Sequence, residues 1–469
     1  MGPPKSLRGI SQEAFDELVK ENMEDLGMDP AEALQDAIQT LSLQGVDLSG
    51  IVKCVPGETS VSDNPLIQSL ERLKQLDSNS NDQISNDDLS EAVGLFDKLI
   101  ELCGCDGSGN AAIATKNGGV ESLSSILCKI RIRTQSSPAL VSGLKTMALF
   151  VHDVQSTETF RTSGGPATVV GILKDGIEDL EILNSGFAVV TASATGNEVV
   201  KEAYMDMKID ELILDVLSRQ RNASVQSLYD AICVLLTPDD NRVVASQVYG
   251  HARRFAKIGI ARALANSLQA GLSSPSLAAA SIALKAVAVN DEICISIAES
   301  GGIDALLRCI VDSGEQGNKT VAKTCCSLLC KLAGSDSNKS SIVEKGGMDR
   351  LIELCARFSD DPSVLQEVMS IITVLSLRSP DNAARAMEAG AGDLAIQAMQ
   401  KFPTAQQLQR NSCFMIRNLA VRNPENRQVT LLLSNGIEKL IRQAKENHQS
   451  CKAAATDALR DLGLDDYNR

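Results

Sequence analysis

The stretch Gly301–Ile310, GGIDALLRCI, decides the fold because versions of it return along the chain. Related stretches lie around Gly119, Gly164, Gly346, Gly390 and Gly436. In each of them a short helix is expected to end on a small residue, and an amphipathic helix to begin at once. Glycine suits this place because a sharp helix end needs a residue in the left-handed conformation. The chain is therefore predicted to be an all-α repeat protein.

The spacing of these stretches indicates the kind of repeat. The residue after the glycines serves as a marker, which gives Val120, Pro166, Ile209, Ile260, Ile303, Met348, Gly392 and Ile437. Most intervals are close to 44 residues, within the roughly 40–47 of HEAT and armadillo units and longer than the roughly 33–34 of ankyrin and TPR units. The Ile209 unit keeps the spacing without its glycines. The longer step to Ile260 predicts an insertion around His251.

The composition argues against several classes of function. Of the 469 residues, 43% are hydrophobic and 3% aromatic, with no Trp, which suits a long aliphatic core. The formal net charge of −15 disfavours general nucleic-acid binding, which relies on basic surface. The 13 Cys show no disulfide spacing, and no apolar run approaches the roughly 18 residues of a membrane span. A reduced cytosolic or nuclear protein without nucleic-acid or membrane partners is expected.

The chain is predicted to have five parts. They are a helical N-terminal extension at 1–50, a linker at 51–64 rich in Gly, Ser and Pro, capping helices at 65–105, the repeat array at 106–462 and a tail at 463–469. Within the array, Ser137-Pro138, Ser274-Pro275 and Asp361-Pro362 each precede the last helix of a repeat, because a capping residue followed by proline begins a helix cleanly. No unit can bury its apolar face alone, so neighbouring units must stack.

The units resemble armadillo repeats over roughly residues 104 to 462. The stretch from Cys413 to Ile441, CFMIRNLAVRNPENRQVTLLLSNGIEKLI, carries the resemblance most fully. The opening SQEAFDELVKENMEDLGMDPAEALQDAI and the ending AATDALRDLG are also similar to members of that family. The resemblance implies a right-handed α-solenoid of three-helix units whose final helices line a concave groove.

The resemblance also points to candidate binding residues. In armadillo proteins an Asn of the final helix commonly faces the ligand, and Asn418 in MIRNLA matches that pattern. Other repeats carry Met147, Ala286, Lys331 and Val374 in its place, so most of the asparagine ladder is missing. Adding residues four away on the same helical face gives the candidates Phe414, Asn418, Arg422, Ser370, Arg378, Ser327, Lys331 and Asn290. This mildly basic groove is expected to bind an extended, partly acidic protein segment; the plainer alternative is a row of solvated helix ends.

Two alternative functions stay open. A nuclear transport carrier would share the fold, although the missing Trp and Asn ladders count against it. The loop Asp77–Asp88 resembles an EF-hand, with oxygen-bearing residues at positions 1, 3, 5, 9 and 12, and would give a calcium-responsive adaptor. However, Asp82 stands where the EF-hand needs glycine, and Asp88 stands where it needs the longer Glu. A polar loop with Ser85 capping the next helix is favoured.

No catalytic group of residues stands out. The three His lie in different repeats, and the sequence carries neither a nucleophile-elbow motif nor a dinucleotide-binding one. Cys326 and Cys330 stand four apart on an apolar helical face, as small core residues do. The sequence therefore predicts a non-enzymatic interaction scaffold without cofactor or metal.

Overall fold

The computed structural model describes residues 8–79, 85–104, 109–133, 137–219, 225–239, 245–433 and 436–465. It has two compact units, one comprising Met1–Leu212 and Thr237–Val244, the other Ile213–Leu236 and Ala245–Arg469. Within the described residues, the strands are confined to a two-residue parallel pairing of β1 (Arg8–Gly9) with β2 (Val46–Asp47). The predicted all-α class is confirmed. No helix in this described part has the length and apolar character needed to cross a membrane.

The N-terminal extension is a helical hairpin with a core of its own. Its helices are α1 (Gln12–Glu24) and α2 (Pro30–Leu43). They begin cleanly because Ser11 and Asp29 cap the first turns. The buried core consists of Phe15, Val19, Ala33, Ala37, Leu41 and Ile51.

The segment predicted as a linker is partly packed. Ile51, Val52, Cys54 and Val55 are all buried. Gln12 holds this segment in place, since its side-chain amide donates to the Val52 carbonyl and accepts from the Val52 N–H, both at 2.9 Å. A count of Gly, Ser and Pro did not reveal this, because the four apolar residues are few and lie next to a turn. From residue 56 to 64 most side chains are exposed, and a linker there stays a prediction.

The remaining helices of the first unit are α3 (Pro65–Asn79), α4 (Asn86–Cys103), α5 (Asn110–Lys116), α6 (Gly119–Arg133), α7 (Ser137–Phe150), α8 (Val154–Thr162), α9 (Gly165–Asp175), α10 (Leu180–Ala194) and α11 (Glu198–Asp206). Helix α12 (Ile209–Arg219) runs through the point where the first unit gives way to the second. The third helix of one repeat packs on that of the next, so that α4 contacts α7 and α7 contacts α10. Helices α3 and α4, predicted as capping helices, thus stack as the last two helices of a repeat do.

The helices of the second unit are α13 (Gln226–Leu235), α14 (Ala245–Ile258), α15 (Ile260–Ser267), α16 (Leu277–Val287), α17 (Asp291–Glu299), α18 (Gly302–Glu315), α19 (Lys319–Leu332), α20 (Asp336–Glu344), α21 (Gly347–Arg357), α22 (Pro362–Ser376), α23 (Pro380–Glu388), α24 (Ala391–Lys401), α25 (Gln406–Ala420), α26 (Pro424–Leu433), α27 (Ile437–Asn447) and α28 (Lys452–Leu462). The third helices α13, α16, α19, α22, α25 and α28 each pack on the next. The first helix α14 has 14 residues where α17 has 9, which is the insertion predicted near His251.

The marker residues stand at or within a residue or two of the start of the second helix in every repeat, as predicted. At Gly301 the backbone has a φ of 81°, and a Cβ on Gly302 would lie 2.8 Å from the Cγ2 of Ile297. The first glycine therefore supplies the left-handed turn and the second allows close packing on the preceding helix. In the unit that lacks the glycines, Lys208 takes the left-handed place with a φ of 61°. The backbone geometry is kept at the expense of strain in a non-glycine residue.

Asparagines fix the corner between the last helix of one repeat and the first helix of the next. The side-chain amide of Asn338 donates to the carbonyl of Leu332 at 3.0 Å. Asn382 and Asn426 donate in the same way to carbonyls near the ends of α22 and α25, each also at 3.0 Å. These bonds satisfy carbonyl groups that a helix end leaves without an intrahelical donor.

Candidate protein-binding face

The third helices α19, α22 and α25 each have one side that the unit does not cover. Ser327 and Lys331 lie on this side of α19, Ser370 lies on that of α22, and Phe414 and Asn418 lie on that of α25. Lys331 is exposed and the other four residues are half-buried. We call these five residues the third-helix face. All five lie on third helices because the spacing of four follows the helical period, and their role in binding stays a prediction.

Asn418 uses only part of its hydrogen-bonding capacity within the chain. Its amide nitrogen donates to the carbonyl of Thr373 in α22 at 2.8 Å. The group has two N–H donors and one acceptor oxygen, and the described residues provide no partner for that oxygen. Asn418 therefore links two third helices and still presents polar atoms to the surface. Met147, aligned with it in sequence, is fully buried in the first unit.

Two further polar links cross the third-helix face. Asn411 donates to Ser370 Oγ at 2.8 Å and to the carbonyl of Gln366 at 2.9 Å. Lys285 donates from Nζ to Ser327 Oγ at 2.6 Å. Both candidate serines thus already have bonds to the neighbouring third helix, so their first role is to hold adjacent helices together.

Phe414 provides the largest apolar surface of the third-helix face. The guanidinium carbon of Arg410, one turn earlier on α25, lies 5.4 Å from the centre of its ring. This is within the range of a cation–π contact. The pair offers a ligand an aromatic edge beside a positive charge.

The structure does not place Asn290 on a third helix, which corrects the prediction for this residue. Helix α16 ends at Val287, and Asn290 instead caps α17, where its side-chain oxygen accepts from the Ile293 N–H at 2.9 Å. Counting four residues on from Ala286 went past the helix end. The Asn290 side chain is engaged in starting the next helix.

Arg378 and Arg422 also lie beyond the ends of their helices, in the corners that follow α22 and α25. Each stands two residues before a proline, and a proline disfavours helical backbone in the residue before it. The two arginines nevertheless come together, since both line a single small pocket that Asn418 also lines. Both side chains are exposed, and neither forms an ion pair with any residue that the structure describes.

A short internal repeat underlies these two corners, and our reading of the sequence missed it. The chain has LSLRSPDN from Leu375 to Asn382 and LAVRNPEN from Leu419 to Asn426. The two stretches occupy equivalent positions, since Asn382 donates to the Leu375 carbonyl and Asn426 to the Leu419 carbonyl. The alignment of Val374 with Asn418 gave the two arginines equivalent positions, but it assigned them to helical faces instead of corners.

The two ends of the EF-hand-like loop, which the structure describes, do not support calcium binding. Residues 80–84 lie outside the described residues. At the first position, Asp77 accepts from Ser125 at 2.7 Å and from the Lys129 ammonium at 2.8 Å. At the twelfth, Asp88 forms a capping box with Ser85, as the plainer alternative predicted. Both carboxylates thus already have protein partners, and no group of metal-binding side chains is found in the described part of the chain.

The cysteines of the second unit behave as core residues. Cys326 is fully buried and Cys330 half-buried. Burial raises the pKa of the Cys330 thiol to about 11 and raises the pKa of Cys326 well above its usual range. Both thiols are therefore protonated at neutral pH, whereas a nucleophile or metal ligand must be a thiolate.

Comparison with known families agrees with this architecture. A model described as the LRRK2 ARM repeat matches residues 181–464, which is more than half of the chain. The chain belongs to the armadillo-repeat family, whose members serve in general as protein-interaction scaffolds.

A more particular likeness appears at the N terminus. A model described as the armadillo repeat-containing protein 6 N-terminal domain matches residues 7–83. The chain is similar to armadillo repeat-containing protein 6 of Homo sapiens, with 25% identity over 80% of this chain and 75% of that protein. It is also similar to the homolog from Drosophila melanogaster, with 25% identity over 81% of this chain and 80% of that protein.

Two solved structures share the fold. One is an engineered protein from the Northeast Structural Genomics Consortium, with a TM-score of 0.62 and 16% identity over 87% of this chain and 97% of that one. The other comes from work on a conserved phosphorylation switch that controls the interaction between cadherin and beta-catenin. It has a TM-score of 0.59 and 14% identity, over 95% of this chain and 80% of that one. The predicted armadillo fold is confirmed.

Proposed function

We propose that the third-helix face and the two arginine corners bind an extended, partly acidic segment of a partner protein. The chain would act by binding alone and would catalyse no reaction. One observation carries the proposal: among the described residues, Lys331, Arg378 and Arg422 have no ion-pair partner, although the protein has a net charge of −15. Exposed cations without a counter-charge of their own favour a ligand that brings carboxylates to them.

Other exposed cations of the same unit show what paired side chains look like. Arg357 lies 2.6 Å from Glu353, and Lys345 lies 2.6 Å from Asp304. Such surface pairs already have their counter-charge and offer less to a ligand. Lys331, Arg378 and Arg422 share the absence of such pairs, within the described residues, with Arg262, Arg350 and Lys439 on second helices. Their assignment to binding is supported by the combination of this feature with their place on or next to the third-helix face.

An extended segment fits the remaining groups of the face. Its backbone would hydrogen-bond to Asn418, whose amide oxygen and second N–H are available among the described residues. Its apolar side chains would pack on Phe414. The polar bonds of Ser327 and Ser370 within the unit keep the helices in register and leave the cations to attract the ligand.

A peptide selection followed by charge reversal tests the proposal. Peptides would be selected by phage display on the full chain, and their binding measured by fluorescence anisotropy. The variant Lys331→Glu/Arg378→Glu/Arg422→Glu is expected to bind them at least about 100-fold more weakly, because it replaces three attractions by repulsions.

The matched control is Arg262→Glu/Arg350→Glu/Lys439→Glu, which changes the net charge equally but lies on the second helices α15, α21 and α27. Binding should fall much less in this control. Circular dichroism would establish that both variants are folded. Equal loss in the two folded variants would show that only the overall charge matters, and unchanged binding in the first would refute the groove proposal.

A further inference from the structure

The pocket between the two arginine corners has features that the binding of an acidic segment leaves unused. Its lining includes Ser376, Arg378, Ser379, Asn418 and Arg422, around a cavity of about 10 Å³, which is room for about one water-sized group. The pocket is too small to enclose a large side chain. A ligand group would instead lie at its mouth, next to Arg378 and Arg422.

Ser376 is a buried polar group without a partner. Its side chain is 3% exposed, and its hydroxyl has no hydrogen-bond partner among the described residues. Leaving such a group unsatisfied destabilises a protein. At the equivalent place in the next corner stands Ala420, which has no hydroxyl to satisfy. The hydroxyl is thus not needed to build this kind of corner, and Ser376 lines the pocket, so its hydroxyl is a candidate donor to a ligand atom there.

Arg378 is held in a strained conformation at the same place. Its φ of 60° lies in the left-handed region that favours glycine, whereas the equivalent Arg422 is not in that region. Strain of this kind is often found where side-chain placement serves binding. The ammonium of Lys339, 2.8 Å from the Asp336 carboxylate, is the main cause that lowers the pKa of Asp336, and the charge of Arg378 lowers it further.

The start of α23 adds a positive end to the pocket. Ser379 is its N-cap, but the Ser379 side chain makes no capping hydrogen bond. Pro380, the first residue of this nine-residue helix, has no N–H, so it is the N–H groups of Asp381 and Asn382 that lack the usual side-chain acceptor. The corresponding helix start at α26 is capped, since Asn423 accepts from the Asn426 N–H at 3.1 Å. Asp381 and Glu425, in the first turns of these helices, are not among the lining residues.

We propose that this pocket binds the phosphate group of a phosphorylated serine or threonine in the partner segment. Two guanidinium groups, the Asn418 amide, the Ser376 hydroxyl and an uncapped helix start provide more donors than the two oxygens of a carboxylate can accept. A phosphate dianion has three terminal oxygens and a larger charge, so it matches this set better. The inference rests on the proposed function for the protein segment, while the phosphate site itself can be tested separately.

The direct test is ³¹P NMR of O-phospho-L-serine with the full chain at constant ionic strength. The phosphoserine signal should broaden with the natural protein and stay sharp with Arg378→Gln/Arg422→Gln, whose affinity should fall by about tenfold or more because charge-assisted hydrogen bonds are lost. Ser376→Ala should weaken binding by about fivefold. The control Arg262→Gln/Arg350→Gln should broaden the signal as the natural protein does.

A further variant separates loss of binding from loss of folding. Arg378→Gly removes both the charge and the unfavourable φ, so it should fold at least as well as the natural chain. Loss of phosphoserine binding in this variant supports the site. Broadening that is the same in all variants would overturn it.

Competing ligands separate the possible sources of the anion. If L-aspartate displaces phosphoserine at equal concentration, the pocket takes carboxylates and the phosphate assignment fails. If inorganic phosphate binds and phosphoserine is excluded, the ligand is a free ion and the partner assignment fails. If phosphoserine binds but no peptide can be selected, the proposed function is refuted and the phosphate site stands. If peptides bind equally well to the natural chain, Ser376→Ala and Arg378→Gly, and phosphoserine does not bind, the phosphate site is refuted and the proposed function stands.

Discussion

Two sets of cations show opposite ways of placing positive charge next to a helix corner. In the first unit, Lys201 is completely buried, and its ammonium donates to Glu198 at 2.9 Å, to the Thr237 carbonyl at 2.6 Å and to Asp239 at 2.6 Å. In the second unit, Arg378 and Arg422 are exposed, with no ion pair to any described residue. The first cation is bound entirely by its own chain, and the other two are the ones that we propose to bind a ligand. A cation that its own chain surrounds with acceptors is structural, whereas a cation without such partners among the described residues is available to a ligand if it lies on a binding face.

Lys339 is an intermediate case that calibrates this difference. It stands fourth in α20 as Lys201 stands fourth in α11. It also pairs with the residue three before it, Asp336, at 2.8 Å. However, the Asp336 side chain is 95% exposed, whereas that of Glu198 is 2% exposed. Water can therefore solvate the Asp336 carboxylate when its lysine is removed, whereas it cannot reach the Glu198 carboxylate.

The largest effect is expected for Lys201→Met, which leaves the buried Glu198 carboxylate without its cation. Breaking one partner of a buried pair costs about 3–5 kcal/mol. Urea unfolding followed by circular dichroism should show this loss, and amide hydrogen exchange should increase around residues 196–201. The matched change Lys339→Met should cost no more than about 1 kcal/mol, because its carboxylate is exposed. Equal losses would remove the distinction between the two lysines.

A second comparison concerns the two kinds of asparagine. Asn338 is 3% exposed and donates to the carbonyls of Leu332 and Cys294, both at 3.0 Å. Asn338→Ala should therefore cost about 1–3 kcal/mol. Asn418 is half-buried with one such bond, and Asn418→Ala should cost about 1 kcal/mol or less.

Urea midpoints measure the stability of both asparagine variants, and peptide anisotropy measures their binding. We expect Asn418→Ala to weaken peptide binding more than Asn338→Ala does. The reverse order of binding losses would mean that Asn418 serves only to join α22 to α25.

A gain of stability is expected where strained residues become glycine. Lys208 and Arg378 have φ values of 61° and 60°. Lys208→Gly and Arg378→Gly should each raise the free energy of unfolding by about 1 kcal/mol, reduced somewhat by the greater freedom of the unfolded chain. Only Arg378→Gly should also lose phosphoserine binding. Thermal unfolding of both variants checks the gain, and a decrease in both would show that the lysine and arginine side chains contribute more than the strain removes.

The smallest effect on the free energy of unfolding is expected for Asp361→Asn, which changes a helix N-cap in the second unit. A hydrogen bond from Ser363 is the largest cause that lowers the pKa of Asp361, which caps α22. Because the folded-state pKa lies below the unfolded value, this stabilisation is present above about pH 4 and is lost as pH falls through the folded-state pKa. Asp361→Asn keeps a capping side chain but should flatten this part of the acid dependence. Urea midpoints from pH 6 down to pH 2 test this, and parallel curves for the two proteins would contradict it.

The repeat architecture was predictable from sequence because it depends on local signals. Gly301 and Gly302 mark a helix junction by backbone chemistry alone. The repeat period predicted the position of the junction at Lys208. It did not predict the strained φ of that residue, because a lysine in the sequence does not indicate a left-handed backbone. Asn290 was misplaced since helical spacing does not say where a helix ends.

The pocket could not be predicted because it joins residues from two corners. Arg378 and Arg422 are 44 positions apart and meet only when α22 packs on α25. The burial of Ser376 is likewise a property of the packed corner. Sequence indicated which residues were polar, whereas the structure showed which of them lack partners.

The pairing of Gln12 with Val52 decides where the protein can be shortened for expression. A version that begins after residue 50 would keep Ile51 and Val52 but lose Phe15 and Val19, which belong to the same core, and lose the amide that binds the Val52 backbone. The new N terminus would then display apolar residues to water and invite aggregation. Residues 8 to 55 should be retained or removed together.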